Sequence, residues 1–188
     1  MRIRLMCVLW ILAVLATGCS PGGGDNAAER IRAHYAALGE TEYRVTLRTD
    51  FGDHVLDFAV EYTHKRGGGG RMKVVSPELI AGIEAEIGQD GVSLLYDGLM
   101  LELGALPGTG LSPMESLPFI ISQWSGGYVT QTGSEKSAGR SLLTVMTRRT
   151  QAEAALEVRT RFDAETLAPV DAELFINGVL SVTALFEE

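Results

Sequence analysis

Three histidines are the first side chains to test for metal or acid–base chemistry. They are His34, His54 and His64. None is separated from another by the three residues that place two histidine ligands on one helix face. Gly-x-Ser-x-Gly, the pattern of a turn that exposes a nucleophile, occurs only at residues 18–22, and no strand pattern precedes that serine. Neither a metal site nor a nucleophilic triad is therefore indicated.

Two sets of carboxylates could also perform acid–base chemistry. Asp53, His54 and Asp57 could form a local pair, but a Gly-Asp turn and a solvent-facing strand position explain them more simply. Glu84 and Glu86 would lie about 7 Å apart on one strand face, a spacing that could suit paired carboxylates in glycoside hydrolysis. Alternating charges on an exposed strand are the simpler explanation. We therefore do not expect an enzyme, and the sequence indicates no cofactor.

Cys19 is the residue whose surroundings indicate a specific modification. Arg2 and Arg4 precede an unbroken apolar run over residues 6–15, which is the layout of an export signal. The uncharged stretch from Leu5 to Gly18 has 14 residues, fewer than the roughly 20 of a transmembrane helix. It ends in Leu-Ala-Thr-Gly-Cys, which resembles the lipobox of bacterial lipoproteins. We predict cleavage between Gly18 and Cys19 and lipid attachment at Cys19; an ordinary thiol after a secretory cleavage site is the alternative.

A lipid on Cys19 predicts a membrane-anchored protein outside the cytoplasm, on the outer face of the cell membrane or on an outer membrane if the cell has one. Diacylglycerol with a further acyl chain supplies the two or more chains that stable anchoring requires. Residues 1–18 would be the signal, 19–25 a flexible tether and 26–188 one domain. After the signal, 14 basic and 24 acidic residues remain, a net charge of −10. Because such a surface repels phosphates, no nucleic-acid partner is expected.

Periodicity predicts a short helix followed by a series of strands. Asn26 and Glu29 form a capping-box pattern, and Ile31 begins a set of apolar residues at helical spacing. From residue 42 the apolar period changes to two, which indicates strands. The predicted strands of this half cover residues 42–51, 56–62, 71–75, 80–87, 92–96 and 99–103. Turn residues between them predict an antiparallel meander.

A second helix is predicted in the middle of the chain. Ser112 and Glu115 form a capping box around Pro113, and apolar residues at helical spacing continue to Trp124. Pro118 predicts a kink, or two short helices, because it removes a backbone donor. Alternation then returns over residues 128–135, 141–148, 153–162, 170–176 and 180–186.

About eleven strands and two helices define the predicted fold class, α+β and mostly β. An open antiparallel sheet of that size must curl strongly or close. Most strands alternate, so one face of the sheet is wet and the other needs a cover. We predict a strongly curved antiparallel half-barrel whose concave face is covered by the N-terminal helix and the kinked central helix.

This order of elements resembles the LolA-like fold of outer-membrane lipoprotein carriers and sorting proteins. Two local stretches are similar to that family as well. They are residues 96–98, Tyr-Asp-Gly before an apolar strand, and residues 162–170, where Phe-Asp is followed by Leu-Ala-Pro-Val. The resemblance covers nearly the whole chain after the signal in architecture, and about a dozen residues in motif.

The resemblance implies a hydrophobic cavity between sheet and helices that holds an acyl chain or another amphiphile. Its expected lining comes from the central helix: Leu117, Phe119, Ile120, Ile121 and Trp124. Filling of the core is the alternative for these side chains. Some anchored relatives in spore-forming bacteria are non-catalytic partners of cell-envelope enzymes. The two expectations are therefore a lipid-binding lipoprotein, for lipoprotein sorting or lipid handling, and a scaffold for an envelope enzyme.

Overall fold

Antiparallel strands make up most of the protein in a computed structural model, which describes residues 23–50, 52, 54–67, 69–88, 91–95, 111–151 and 153–187. The elements assigned there are α1 (Gly23–Ala37), β1 (Thr41–Asp50), β2 (Val55–Lys65), β3 (Gly69–Ser76), a 3-10 turn (Glu78–Ile80), β4 (Glu84–Gly88), β5 (Gly91–Leu95), α2 (Pro113–Gly126), β6 (Tyr128–Ser137), β7 (Arg140–Gln151), β8 (Ala154–Asp163), β9 (Pro169–Ile176) and β10 (Val179–Phe186). The predicted signal, the lipidation site and the predicted strand at 99–103 lie outside the described residues.

The ten described strands form one sheet with the order β5-β4-β3-β2-β1-β10-β9-β8-β7-β6. Each half of the chain is a meander, and the first and last strands join the two halves through pairs such as Val45 with Phe186 and Thr49 with Val182. The predicted class is confirmed: a mostly β, antiparallel, curved sheet with two helices.

The start of α1 differs from the predicted tether. The helix begins at Gly23, three residues before the predicted cap Asn26, so residues 23–25 are helical. Glycine costs about 1 kcal/mol in a helix, which is why the sequence pattern favours a tether there. Burial of Ala27 and Ile31 in the following turns fixes the helix against the rest of the domain. At its other end, Arg66 donates hydrogen bonds to the carbonyls of Ala37 and Leu38.

Two further boundaries need correction. Residues 80–83 are not strand as predicted, because a 3-10 turn ends at Ile80 and is followed by Gly82 with a φ of +87°. The Gly82 amide donates a hydrogen bond to the Val74 carbonyl. The alternation after it is confirmed, since Ile83, Ala85 and Ile87 are buried. The division of α2 into two helices at Pro118 is wrong: one helix continues through this buried proline. The predicted capping box of Ser112 and Glu115 is present.

Small side chains at the centre of the concave face make room for α2. One cross-strand row runs from Phe58 through Leu47, Ala184, Ala172 and Thr160 to Val145. The two alanines have no exposed surface, and α2 contacts the strands that carry them, β9 and β10. The small side chains leave space for the helix at the centre of the row, with Phe58 and Leu47 at one end and Val145 at the other.

The convex face carries rows of ion pairs, and the pair of Arg161 with Asp171 is more buried than the exposed pairs. Arg161 donates two parallel hydrogen bonds to Asp171, at 2.9 and 2.6 Å, and a third to Glu135 at 3.1 Å. The Asp171 side chain is only 10% exposed. Hydrogen bonding to Asp171 and Glu135 raises the pKa of the Arg161 guanidinium, although partial burial opposes this shift. Such a bidentate pair is stronger than an exposed one.

We expect Arg161→Ala to lower the free energy of unfolding by about 2 kcal/mol, because it leaves the Asp171 carboxylate buried without its partner. Arg71→Ala is the control, since the Arg71–Glu86 pair is exposed on both sides and 3.8 Å long, and should change stability by less than about 0.5 kcal/mol. Urea unfolding followed by circular dichroism measures both. Equal losses in the two variants would contradict the prediction.

Candidate functional site

The five side chains predicted to line a cavity are all buried in α2. They are Leu117, Phe119, Ile120, Ile121 and Trp124. The structure brings them together with the core that covers the concave face. Trp124 donates its indole N–H to the Thr160 hydroxyl at 2.9 Å. These contacts fit the core-filling alternative; a ligand on these five residues stays a prediction.

An aromatic cluster fills the space between the two helices and the sheet. The ring of Trp124 lies 4.7 Å from Tyr35, 5.4 Å from Phe162 and 5.5 Å from Phe186, measured between ring centroids. Tyr35 also donates its hydroxyl to the Leu167 carbonyl at 2.7 Å. Burial raises the pKa of Tyr35, with a smaller contribution from Tyr43. Tyr35 is neutral at physiological pH and acts as a hydrogen-bond donor that fastens α1 to the connection between β8 and β9.

The apolar pocket lies at the other end of α2, where that helix begins. Its volume is about 100 Å³. Strands β2 and β3, the 3-10 turn and the first turn of α2 form it. Its lining residues are Leu56, Asp57, Phe58, Val74, Pro77, Ile80, Ile83 and Met114. Asp57 is the one polar member, and its carboxylate turns to Arg48 at 3.8 Å on the convex side. The pocket can therefore hold only an apolar group.

Exposed apolar side chains are concentrated at the end of the sheet where this pocket lies. We call them the apolar rim: Val55, Leu56, Val75, Leu79 and Leu95. The register explains why they share one end of the sheet. Val55 begins β2, Val75 is near the end of β3, and Leu95 pairs with Glu84 at the start of β4. Leu79 is 88% exposed in the turn that closes the pocket. Apolar side chains concentrated in this way mark an interaction site.

The pocket was not predicted from the sequence: none of its lining residues is among the five predicted cavity residues. A signal was present: Leu79 and Ile80 are large apolar residues in a Pro-Glu-Leu-Ile turn, where polar residues are usual. The wrong extension of a strand over residue 80 concealed it. The pocket also depends on β2, β3 and α2 meeting, which no local pattern reports.

A larger groove on the convex face does not fit an amphiphile. It has a volume of about 480 Å³ and lies over β6, β7, β8 and β9. Arg159 and Arg161 line it, and both are paired with acidic side chains, Arg159 with Glu173 and Arg161 with Asp171. Because these charges already neutralise each other, the groove is best explained as a structural ion-pair surface.

The remaining side chains considered for chemistry do not converge. Glu86 is exposed and 3.8 Å from Arg71, as expected for a wet strand face. Among the histidines, His64 lies within 3.5 Å of the Tyr62 hydroxyl, and burial lowers the pKa of His64. Within the described part of the chain, no group of three or more His, Cys, Asp or Glu side chains could hold a metal ion. Asp53, Gly18 and Cys19 lie outside that part.

A search for membrane-spanning helices in the described segments finds none with the required length and hydropathy.

Comparison with known proteins gives structural matches alone. No protein-family model matches this sequence, and no curated protein sequence matches it significantly. A domain from Vibrio parahaemolyticus, described as a candidate outer membrane lipoprotein-sorting protein, is 13% identical, with a TM-score of 0.51 over 88% of this chain and 90% of that one. A DUF1329 family protein from Desulfovibrio piger is 12% identical, with a TM-score of 0.46 over 87% and 89% of the two chains.

A LolA superfamily protein from Nitrosomonas europaea is 11% identical, with a TM-score of 0.46 over 86% of this chain and 92% of that one. Identities this low show the fold alone. The chain therefore has the LolA-like fold that its order of helices and strands predicts.

Proposed function

We propose that this protein is an extracytoplasmic lipoprotein, anchored through Cys19, that binds the apolar part of an amphiphile in the pocket at the start of α2. The observation that carries the proposal is the pocket itself, which is apolar in its lining and bordered by the half-exposed Leu56. A cavity of about 150 Å³ in another protein stays dry and binds benzene. A pocket of about 100 Å³ can thus take the end of one acyl chain. The rest of the chain would extend past Leu56 into solvent.

The Leu56→Trp variant tests the pocket without disturbing the core. Leu56 lines the pocket and is 44% exposed, so an indole at this position can fill the mouth. We expect at least about tenfold weaker binding of a single-chain amphiphile, equivalent to about 1.4 kcal/mol. Leu180→Trp is the matched control because Leu180 is 42% exposed and does not line the pocket.

The measurement is native mass spectrometry with lipid extraction on residues 20–188 purified from a bacterial host. All of the described buried apolar residues lie between Ala27 and Ala184, so this fragment keeps the core. We expect a co-purifying acyl compound in the starting protein and in the Leu180 variant, and loss of it in the Leu56 variant. A protein that carries no acyl compound and binds no added single-chain amphiphile would refute the proposal.

A second candidate function is docking of an envelope protein, as in the scaffold expectation. The exposure of Leu79 favours it, since a solvent-exposed leucine beside a pocket is a suitable anchor for a partner. The two candidates differ in what Leu79→Ser does. For amphiphile binding, affinity should fall by less than about threefold, because Leu79 is outside the pocket lining. For partner docking, truncation of the central exposed anchor should abolish the complex.

A further inference from the structure

The exposed apolar side chains of the described residues are gathered at one end of the sheet. Nine large apolar side chains are exposed there or elsewhere in these residues. Eight of the nine lie at the end where β2, β6 and β10 begin and where β3 and β5 end: the apolar rim, Tyr128, Val179 and Leu180. The ninth, Leu185, is one residue before the opposite end of β10. So uneven a distribution marks the first end as an interaction surface.

The most exposed of these side chains lies directly beside the apolar pocket. Leu79 is 88% exposed. It stands in the chain between Pro77 and Ile80, which both line the pocket. The Cα atoms of neighbouring residues are only about 3.8 Å apart. This surface therefore carries a projecting leucine and an apolar hole next to each other.

The hole has the size of the projecting side chain. A cavity of about 150 Å³ holds benzene, which has about six carbon atoms to place. The pocket has a volume of about 100 Å³ and so has room for about four, as many as a leucine side chain contains. A second copy of the chain can thus place its Leu79 in the pocket of the first. A two-fold axis makes this contact reciprocal, because the same patch of each copy then meets itself.

The exposed apolar area is large enough for a weak dimer. A fully exposed aliphatic side chain offers about 100 Å² for burial. The residues of the apolar rim are 43–88% exposed, and with Val179 and Leu180 they offer about 400 Å² in each copy. Two copies would bury about 800 Å² of apolar surface, and at about 60% apolar character the whole interface would cover about 1,300 Å². Specific interfaces begin at about 1,200 Å².

We infer that this end of the sheet is the interface of a symmetric dimer in which Leu79 of each copy occupies the apolar pocket of the other. The dimer goes beyond the proposed function but uses the same pocket. A leucine side chain and an acyl chain cannot share about 100 Å³, so an amphiphile has to displace the second copy. This competition rests on the proposed function. Anchoring of both copies through Cys19 in one membrane raises their effective concentration and favours a dimer that is weak in solution.

Sedimentation velocity of residues 20–188 measures the dimer, after bound acyl compounds have been removed on a hydrophobic resin. We expect a reversible dimer with a dissociation constant on the order of 50 μM. Leu79→Ser removes the projecting side chain and should weaken the dimer at least about thirtyfold. Leu185→Ser is the matched control, since Leu185 is 52% exposed at the other end of β10. It should change the dissociation constant by less than about twofold.

A mixture of two variants tests whether the contact is reciprocal. Leu56→Trp keeps Leu79 but fills the mouth of the pocket, where Leu56 is half-exposed, and should weaken the dimer as Leu79→Ser does. When the two variants are mixed, one projecting leucine and one open pocket remain. The heterodimer should therefore be about fivefold tighter than either variant alone, which corresponds to one of the two contacts. Mixing could not restore association if the substitutions acted by unfolding the domain.

Dodecylphosphocholine, added below its micelle concentration, tests the competition. At ten times its own dissociation constant, it should weaken the dimer by about a hundredfold, because both pockets must be empty for the dimer to form. Amphiphile that binds the pocket and leaves the dimer intact would overturn the inference.

The remaining outcomes separate the dimer from the proposed function. A protein that stays monomeric at about 500 μM, or a mixture no tighter than its single variants, would overturn the dimer and leave the pocket and Leu79 to an amphiphile or an envelope protein. If the unmodified protein dimerises, the mixture restores association and no amphiphile binds, the proposed function is wrong and the dimer stands.

Discussion

Replacing Cys19 by serine is expected to remove all covalently attached lipid from the protein. Diacylglycerol would be attached to the sulfur atom of Cys19, and the serine hydroxyl does not replace this thiol in a lipobox. A single myristoyl chain binds a membrane with a constant of about 10⁴ M⁻¹, and each further buried CH₂ adds about 0.8 kcal/mol. Loss of two or more chains therefore changes membrane affinity by many orders of magnitude, a larger effect than any core substitution can have on stability.

The intact mass of the protein is the direct measurement. The unmodified sequence, expressed in a bacterial cell, should carry the mass of its acyl chains on a polypeptide that begins at Cys19, and Cys19→Ser should carry none. Ser20→Ala is the control and should remain acylated. Exported behind an ordinary secretory signal, residues 20–188 should be found in the soluble fraction, since their net charge of −10 offers no attraction to anionic lipids. Acyl mass that stays on the denatured Cys19→Ser protein would contradict the assignment.

Strand positions were predictable because one face of the sheet is wet. Ile83, Ala85 and Ile87 are buried while Glu86 is exposed, and this difference is what a period of two reports. Capping chemistry was equally local, so Ser112 and Glu115 revealed the start of α2. Patterns of this kind fixed the fold class through the number and order of elements. The sheet twist and curvature then follow from the number of strands.

Long-range contacts left no such pattern. The pairing of β1 with β10 joins residues more than 130 positions apart, and neither strand differs in composition from its neighbours. The pocket is a second case, since Phe58, Ile80 and Met114 meet only after the sheet has curved. Because α2 is apolar on nearly every side, its sequence pattern does not distinguish residues that fill the core from residues that line a cavity.

The buried position of Trp124 predicts the largest loss of stability. Trp124→Ala should lower the free energy of unfolding by about 4 kcal/mol, because it removes a large aromatic side chain from a packed core and leaves a cavity. It also removes the contacts with the rings of Tyr35, Phe162 and Phe186, and so loosens α1. The Thr160 hydroxyl loses its donor as well. The domain should therefore unfold at a much lower urea concentration.

Trp124→Phe separates packing from hydrogen bonding. Phenylalanine keeps most of the apolar volume but cannot donate to Thr160, so we expect a loss of about 1–2 kcal/mol. Tyr128→Ala is the control for aromatic removal, since Tyr128 is 75% exposed, and should cost less than about 0.5 kcal/mol. Urea unfolding followed by far-UV circular dichroism applies to all three variants. If Trp124→Ala lowered the free energy of unfolding no more than Tyr128→Ala does, the prediction would be wrong. Trp124 would then be better explained as a residue that lines a ligand cavity.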